Sequence, residues 1–257
     1  MLLGIDHLVI AVKNLEAASK DYTDLGFTVV PGGRHTGIGT YNSLIAFEDG
    51  SYLELIGFYE PRDDHRWFAP LQKGGGLVDF CLQTDDLPGD TVALRRAGID
   101  IGEPEKRDRK RPDGKEIRWM FSLARGAQRG VAPFIIADET GRDERVPQQR
   151  RHANGVTGIG TVTVAVDDVS RVRGWYERAL GRPGTDVKRD DIGAAGVRFA
   201  IGPHTFDFVS PSTAASPLTA WLAAHGPSPY AATLKGGAGR SGALDLAKTH
   251  GARLALA

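Results

Sequence analysis

Two ionisable side chains stand where strands ought to be wholly apolar. His7 lies inside "GIDHLVIAV", Gly4 to Val12, and Glu54 lies inside "SYLELIGF", Ser51 to Phe58. Alternation places Ile5, His7, Val9 and Ala11 on one strand face, with Leu8, Ile10 and Val12 on the other. Tyr52, Glu54 and Ile56 likewise share a face, opposite Leu53 and Leu55. An imidazole in such a strand is either a core histidine with local hydrogen-bond partners or a metal ligand. A carboxylate buried alone is costly, so Glu54 requires a metal, a cation or a hydrogen-bonding ligand.

Other chemistries have weaker support. Cys81 is the one cysteine and sits in the apolar run "VDFCLQ", where it reads as a small core residue. A disulfide within one chain is excluded, so a reducing cytoplasm is the expected location. "GAGRSG", Gly237 to Gly242, has the form of a dinucleotide fingerprint, but too few residues follow to complete a βαβ unit. No serine-nucleophile elbow occurs. The 257 residues carry 32 Lys+Arg and 32 Asp+Glu, a balance that gives no reason to expect nucleic acid or an anionic membrane as partner. "EPEKRDRKRPDGK", Glu103 to Lys115, mixes both signs and reads as a solvated hairpin. No apolar run reaches the roughly 20 residues of a membrane helix, and the first residues do not resemble a secretion signal.

The elements that must hold His7 and Glu54 repeat along the chain. "HLVIAVKNLEAASKDYTDLGFTVV" begins at His7, "DFCLQTDDLPGDTVALRRAGIDIG" at Asp79 and "TVTVAVDDVSRVRGWYERALGRPG" at Thr161. Each reads as a strand, an Asn or Asp N-cap, a short helix, a glycine and a new strand. Asn14, Asp86 and Asp168 are the caps, and Gly26, Gly98 and Gly181 end the helices. "FTVV", "TYNSLIAF" and "SYLELIGF" complete the first unit as βαβββ. "IDIG", "EIRWMFSLA" and "GVAPFIIAD" do so for the second, with an Asp113-Gly114 hairpin turn. "RSGALDLAKTHGARLALA" reads as a truncated fourth copy. A short helix is expected around Leu218 to Ala224.

The expected fold class is α+β, with repeated βαβββ units forming curved mixed sheets and helices on their outer face. Residues 1–137 form an N-terminal pair of units (1–58 and 76–137). Residues 138–156, polar and irregular, form a linker. Residues 157–257 hold a C-terminal unit and the truncated repeat.

Repeated βαβββ units that open with "GIDHLVIAV" and close with "YLELI" resemble the vicinal oxygen chelate superfamily, and more closely its glyoxalase-like domain family. The stretch from Gly4 to Phe47, with "YLELI", "RPDGKEIRW", "PFIIAD" and "RVPQQRRHANG", carries the resemblance. It implies that paired units curl around a metal or substrate cavity, with one histidine from a unit's first strand and one glutamate from its last. His7 and Glu54 match those positions. The second unit departs from the pattern, with Asp79 at the histidine position and Phe134 at the glutamate position. The third has Thr161 and Asp207. The implied metal set is therefore His7, Glu54 and Asp79, which suits one divalent ion such as Fe, Mn, Zn, Ni or Co. The alternative is a His7–Glu54 hydrogen bond on neighbouring strands without metal.

Around such a cavity, "PGGRHTGIGTYN" supplies Arg34, able to grip a ligand carboxylate, and His35, able to act as acid or base. Asn42 is an orienting group. Trp119 is a cavity wall or a core residue. His152 either folds over the cavity or is solvated. Glu54 and His35 are then the catalytic candidates, and Arg34, Asn42, Trp119 and His152 the substrate-binding ones. Two function classes follow. One is a metal-assisted lyase, isomerase or dioxygenase acting on a small oxygenated metabolite. The other is a metal-free protein that binds or sequesters a small molecule. The partner is a small-molecule ligand, and the chain is a monomer or homodimer.

Overall fold

The computed structural model describes residues 2–125 and 130–257. The first half of the chain closes into an eight-stranded barrel. Its strands are β1 (Leu2–Ala11), β2 (Val30–His35), β3 (Thr40–Ala46), β4 (Tyr52–Phe58), β5 (Gly76–Thr84), β6 (Glu105–Lys110), β7 (Glu116–Leu123) and β8 (Phe134–Asp138). Around the barrel they run β1-β4-β3-β2-β6-β7-β8-β5. β1 lies parallel to β4 and antiparallel to β5, so it is the hinge of the two units. A short seam closes the far side, where Arg34 and His35 of β2 meet Lys110 and Arg109 of β6.

Local sequence explains the helices. α1 (Leu15–Asp24) starts where the Asn14 side chain accepts from the Ala17 N–H at 2.9 Å. After the short α2 (Phe68–Gln72), α3 (Leu87–Arg96) starts in the same way at Asp86 and Gly89. Both end before glycines with positive φ, Gly26 at 88° and Gly98 at 77°. Leu15, Ala18 and Tyr22 are the buried stripe of α1 and pack on the outward faces of the strands. Leu8, Ile10, Leu53 and Leu55 are fully buried in that outer core.

The inward faces form a second apolar cluster around Val9, Ala11, Ile56, Cys81, Phe134 and Ile136. "PGGRH" is β2 itself, whereas "FTVV" was expected to be the strand. Gly33, at φ 127°, lets β6 approach: a Cβ there would stand 2.0 Å from the Lys110 carbonyl oxygen. The mixed charge run is likewise a barrel strand, β6, that turns its Arg109 inward.

The expected linker is packed structure. Within it α4 (Arg142–Arg145) closes one end of the barrel, and Val146 joins Leu44, Ala46 and Tyr52 in an apolar plug. Its polar composition reflects buried ion pairs, in which Arg145 binds Asp6 and Asp138.

The second half forms a seven-stranded sheet in the order β10-β11-β12-β9-β13-β15-β14. These are β9 (Val156–Ala165), β10 (Thr185–Arg189), β11 (Ala194–Ile201), β12 (His204–Pro211), β13 (Ser228–Gly236), β14 (Gly242–Ala243) and β15 (Leu254–Leu256). α5 (Val169–Leu180) is capped by Asp168 and ended by Gly181, whose φ is 64°. β9 pairs parallel with β12 and antiparallel with β13, repeating the β4-β1-β5 arrangement. The fourth unit therefore opens at β13, before the segment expected to begin it. "LAKTHG", Leu246 to Gly251, forms consecutive turns, with the Asp245 carboxylate accepting from the Ala247 N–H. α6 (Pro217–His225) packs on β9, β12 and β13. Among the described residues no helix is long and apolar enough to cross a membrane.

Candidate functional site

The barrel interior encloses a cavity of about 340 Å³. Register brings its polar residues together. In the parallel β1–β4 ladder Val9 stands opposite Glu54, and in the β3–β4 ladder Leu44 does, so His7, Asn42 and Glu54 crowd on one inner wall. His35 joins them from β2. Trp119, Phe121, Leu123, Phe134 and Ile136 form the apolar wall opposite. The chain after β4 adds His65, Arg66 and Trp67.

Glu54 is the centre of the polar row. Its Oε1 accepts from the Asn42 amide at 2.6 Å and lies 3.7 Å from His35 Nε2. Its Oε2 lies 3.4 Å from His7 Nε2. His7 Nδ1 donates to Asp6 Oδ1 at 2.7 Å. Asp6 is held by Arg142 and Arg145, each with a nitrogen at 2.6 Å. Arg109 Nη1 donates to Asn42 Oδ1 at 3.2 Å. A guanidinium is only a donor, so this bond fixes the Asn42 amide with its NH₂ toward Glu54. The chain Arg109–Asn42–Glu54–His7–Asp6–Arg145 is thus continuous and wholly buried.

The row sets its histidines apart. Burial alone would lower the His7 pKa, but hydrogen bonds and charges from Asp6 and Glu54 raise it above the ordinary imidazole value. For His35 burial wins and pushes the pKa down to about 4. Burial would raise the Glu54 pKa, but His7, His35 and Asn42 hold it down to about 2. The fold thus favours the imidazolium form of His7 and the neutral form of His35, at opposite oxygens of one carboxylate. Such separated pairs suit acid and base roles.

The other candidates fall elsewhere. Trp119 lines the cavity, edge-on to His35 with ring centroids 5.9 Å apart. Its neighbour Arg118 is exposed on the opposite face. Arg34 does not line the cavity; it is exposed, with its guanidinium 4.8 Å from the Tyr59 ring centroid. Two-residue alternation puts it outside because His35 is inside. His152 does not reach the cavity either. Its Nδ1 accepts from the Thr28 N–H at 3.0 Å and its Nε2 donates to the Ala46 carbonyl at 3.0 Å. It packs edge-on to Phe27 and Phe47, so it clamps the linker to the barrel's outside.

Asp79 is committed: its Oδ2 takes the Arg66 guanidinium and the Trp67 indole N–H, both at 2.7 Å, and its Oδ1 takes the Phe80 N–H. His7, Glu54 and Asp79 do not form a set within 4.8 Å of one another, which corrects the expected ligand trio. Phe134, facing His7 at 5.3 Å, offers no donor atom. The Asn42 amide presents N–H groups beside Glu54 and His35, where an ion would need lone pairs. Asp6, His7 and Cys81 do cluster. There, however, both Asp6 oxygens already accept from Arg142, Arg145 and His7, and the His7 Nδ1 on that side is the one donating to Asp6. As arranged, these residues do not fit a resident divalent ion.

Arg109, Arg66, Trp67, Tyr52 and Arg145 were not singled out in the sequence. Arg109 and Arg145 lay in charged, polar runs that hide buried positions. Period-two reading of "EKRDRK" would have placed Arg107 and Arg109 on one face, without saying which face turned inward.

Comparison with known proteins agrees with this architecture. A family profile described as a glyoxalase-like domain matches residues 5–180. No curated protein matches the chain in sequence. Among solved structures, a hypothetical protein from Staphylococcus aureus superposes with a TM-score of 0.74 at 15% identity, covering 100% of this chain and 99% of that one. A mutant 4-hydroxymandelate synthase from Streptomyces coelicolor gives 0.60 at 17% identity, covering 91% of this chain and 71% of its own. Methylmalonyl-CoA epimerase from Streptomyces coelicolor gives 0.43 at 22% identity, covering 55% and 100%. At these identities the first two show a shared fold.

Proposed function

The chain belongs to the glyoxalase-like domain family, and from that premise we propose that its barrel binds a small oxygenated metabolite without a resident metal. In this reading the ligand lies against the His7–Glu54–His35 row, which is equipped to move a proton on it. The carrying observation is the commitment of the would-be ligands: Asp79 to Arg66 and Trp67, and Glu54 to Asn42. His7, the imidazolium, donates; His35, the neutral imidazole, accepts through Nε2, its Nδ1 being 2.9 Å from the Thr40 hydroxyl. Glu54 stays ionised between them and orients His7, while the Asn42 amide that donates to Glu54 also reaches His35 Nε2 at 3.5 Å. Proton transfer next to a carbonyl, as in an isomerase or lyase, is the reaction class this supports. Binding without chemistry needs the same cavity and only the orienting part of the row.

One feature favours the metal-assisted lyase, isomerase or dioxygenase as a second reading. The Asp6 carboxylate on His7 Nδ1 leaves Nε2 aimed inward, an orientation common for metal-binding histidines.

Isothermal titration of small aromatic and keto acids, with and without EDTA, tests the proposal on wild type and Glu54→Gln. Chelator-insensitive binding that is weakened in Glu54→Gln is expected. Binding that vanishes with EDTA and returns with a divalent ion would overturn it.

A further inference from the structure

One cation in the cavity lacks a counter-charge. Arg62 pairs with Asp64, Arg66 with Asp79, Arg107 with Glu105 and Arg145 with Asp6. Arg109 is 3% exposed, and among the described residues no carboxylate ion-pairs with it. Asn42 stands between it and Glu54. Its Nη1 and Nη2 are occupied by Asn42 Oδ1 and, at 2.9 Å, by the Arg145 carbonyl oxygen. Its Nε is fully buried without any partner.

The guanidinium is held in this position. Gly32 of β2 packs against it so closely that a Cβ would stand 2.7 Å from Nη1 and 2.1 Å from Asn42 Oδ1. A buried, unpaired and immobilised guanidinium lowers the stability of the free protein. It makes physical sense where an anion completes it. The rest of the cavity describes that anion's body. Trp67, Trp119, Phe121 and Phe134 present ring surface, and Tyr52 and His7 are stacked with centroids 4.7 Å apart. Flat apolar molecules suit such walls.

The geometry points to an aromatic carboxylate as the ligand class, with its carboxylate supplying the counter-charge of the Arg109 guanidinium and its ring against the Trp119–Phe134 wall. This deepens the metal-free binding reading and rests on it. Arg109 acts here as the anchor that selects charge. Through Asn42 it also positions Glu54.

The test uses the whole chain in EDTA and three probe pairs: benzoate, phenylacetate and phenylpyruvate, each against its amide. Thermal shift and titration calorimetry are read on wild type and Arg109→Met. The expected result is binding of the acids, at least about tenfold weaker binding of the amides, and loss of acid binding in Arg109→Met. The melting point does not discriminate, because the methionine leaves the buried Asn42 Oδ1 and Arg145 carbonyl without their donor; the discriminating readout is the acid-over-amide preference, which a merely structural arginine would leave unchanged in a folded Arg109→Met. Should the variant not fold, the acid–amide comparison on wild type decides alone. Equal binding of acids and amides would overturn the Arg109 assignment while leaving the binding reading intact. No binding of any probe at millimolar concentration would overturn both.

Discussion

The two halves of the molecule put a carboxylate at the same place and use it in opposite ways. Glu54 stands opposite Val9 in the β1–β4 ladder, and Asp207 stands opposite Thr163 in the β9–β12 ladder. Both are buried. Glu54 faces two imidazoles and an amide, groups whose charge or hydrogen bonds can change when a ligand arrives. Asp207 is gripped by Arg198 through Nε at 2.6 Å and Nη2 at 2.8 Å, with Arg189 at 3.4 Å. Guanidinium groups stay charged at any ordinary pH, so Asp207 is a fixed structural ion. The space around each carboxylate differs too. The barrel keeps its interior open, whereas α6 lays Leu218 on Ala165 and Val209 of the second sheet, with Trp221 beside them. A position in this fold becomes a site through the partners its neighbouring strands supply.

The largest expected effect lies in the barrel. Asp6→Asn leaves Arg145, 3% exposed, with Asp138 as its remaining carboxylate and strips His7 of its inner partner. Urea denaturation should show a loss of about 3–5 kcal/mol. A loss under 1 kcal/mol would mean that the barrel's polar chain is not a unit.

The pH dependence should separate the halves next. His35 is favoured neutral in the fold, so its contribution is complete above pH 6.5 and is lost as pH falls from 6.5 to about 4. Glu54 follows in more acid solution, between 4.5 and about 2. His7 runs the other way: its contribution is complete below 6.5 and disappears as pH rises through its raised folded value. His35→Gln should remove its share of the decline between pH 6.5 and 4, on the order of 3 kcal/mol, in denaturation curves taken at a series of pH values, leaving the share of His65, whose pKa burial also lowers to about 4. An unchanged decline would place its origin elsewhere.

A smaller effect is expected in the second sheet. Arg198 is 44% exposed and Arg189 23%, so Asp207→Asn leaves cations that water can reach. The cost should be about 1–3 kcal/mol, with ligand binding in the barrel unchanged by calorimetry. A loss of binding would show that the halves are coupled.

Much of the framework was legible from residue pattern alone. Asn14, Asp86 and Asp168 cap where they were expected to, and β1 pairs with β4 as the family resemblance, rather than the residue pattern, implies. Alternation put Arg118 and Trp119 on opposite faces, whereas His35 and Asn42 were singled out from the glycine-rich stretch that carries the family resemblance. Arg34 and His152 were misplaced for two different reasons. Arg34 is one residue from His35, and a one-residue step crosses the barrel wall. His152 sits in a stretch without periodicity, and its two hydrogen bonds run to Thr28 and Ala46, far away in sequence. Arg109 and Arg145 stayed hidden because burial of a charge depends on strand closure and on α4. Neither leaves a pattern within its own segment.

The central claim is that the His7–Glu54 row works on a ligand without a resident ion. Elemental analysis of protein purified without chelator, followed by titration of phenylpyruvate before and after EDTA, addresses it most directly. The account predicts well under one equivalent of any divalent metal and the same affinity in both titrations. One tightly held equivalent whose removal abolishes binding would contradict it.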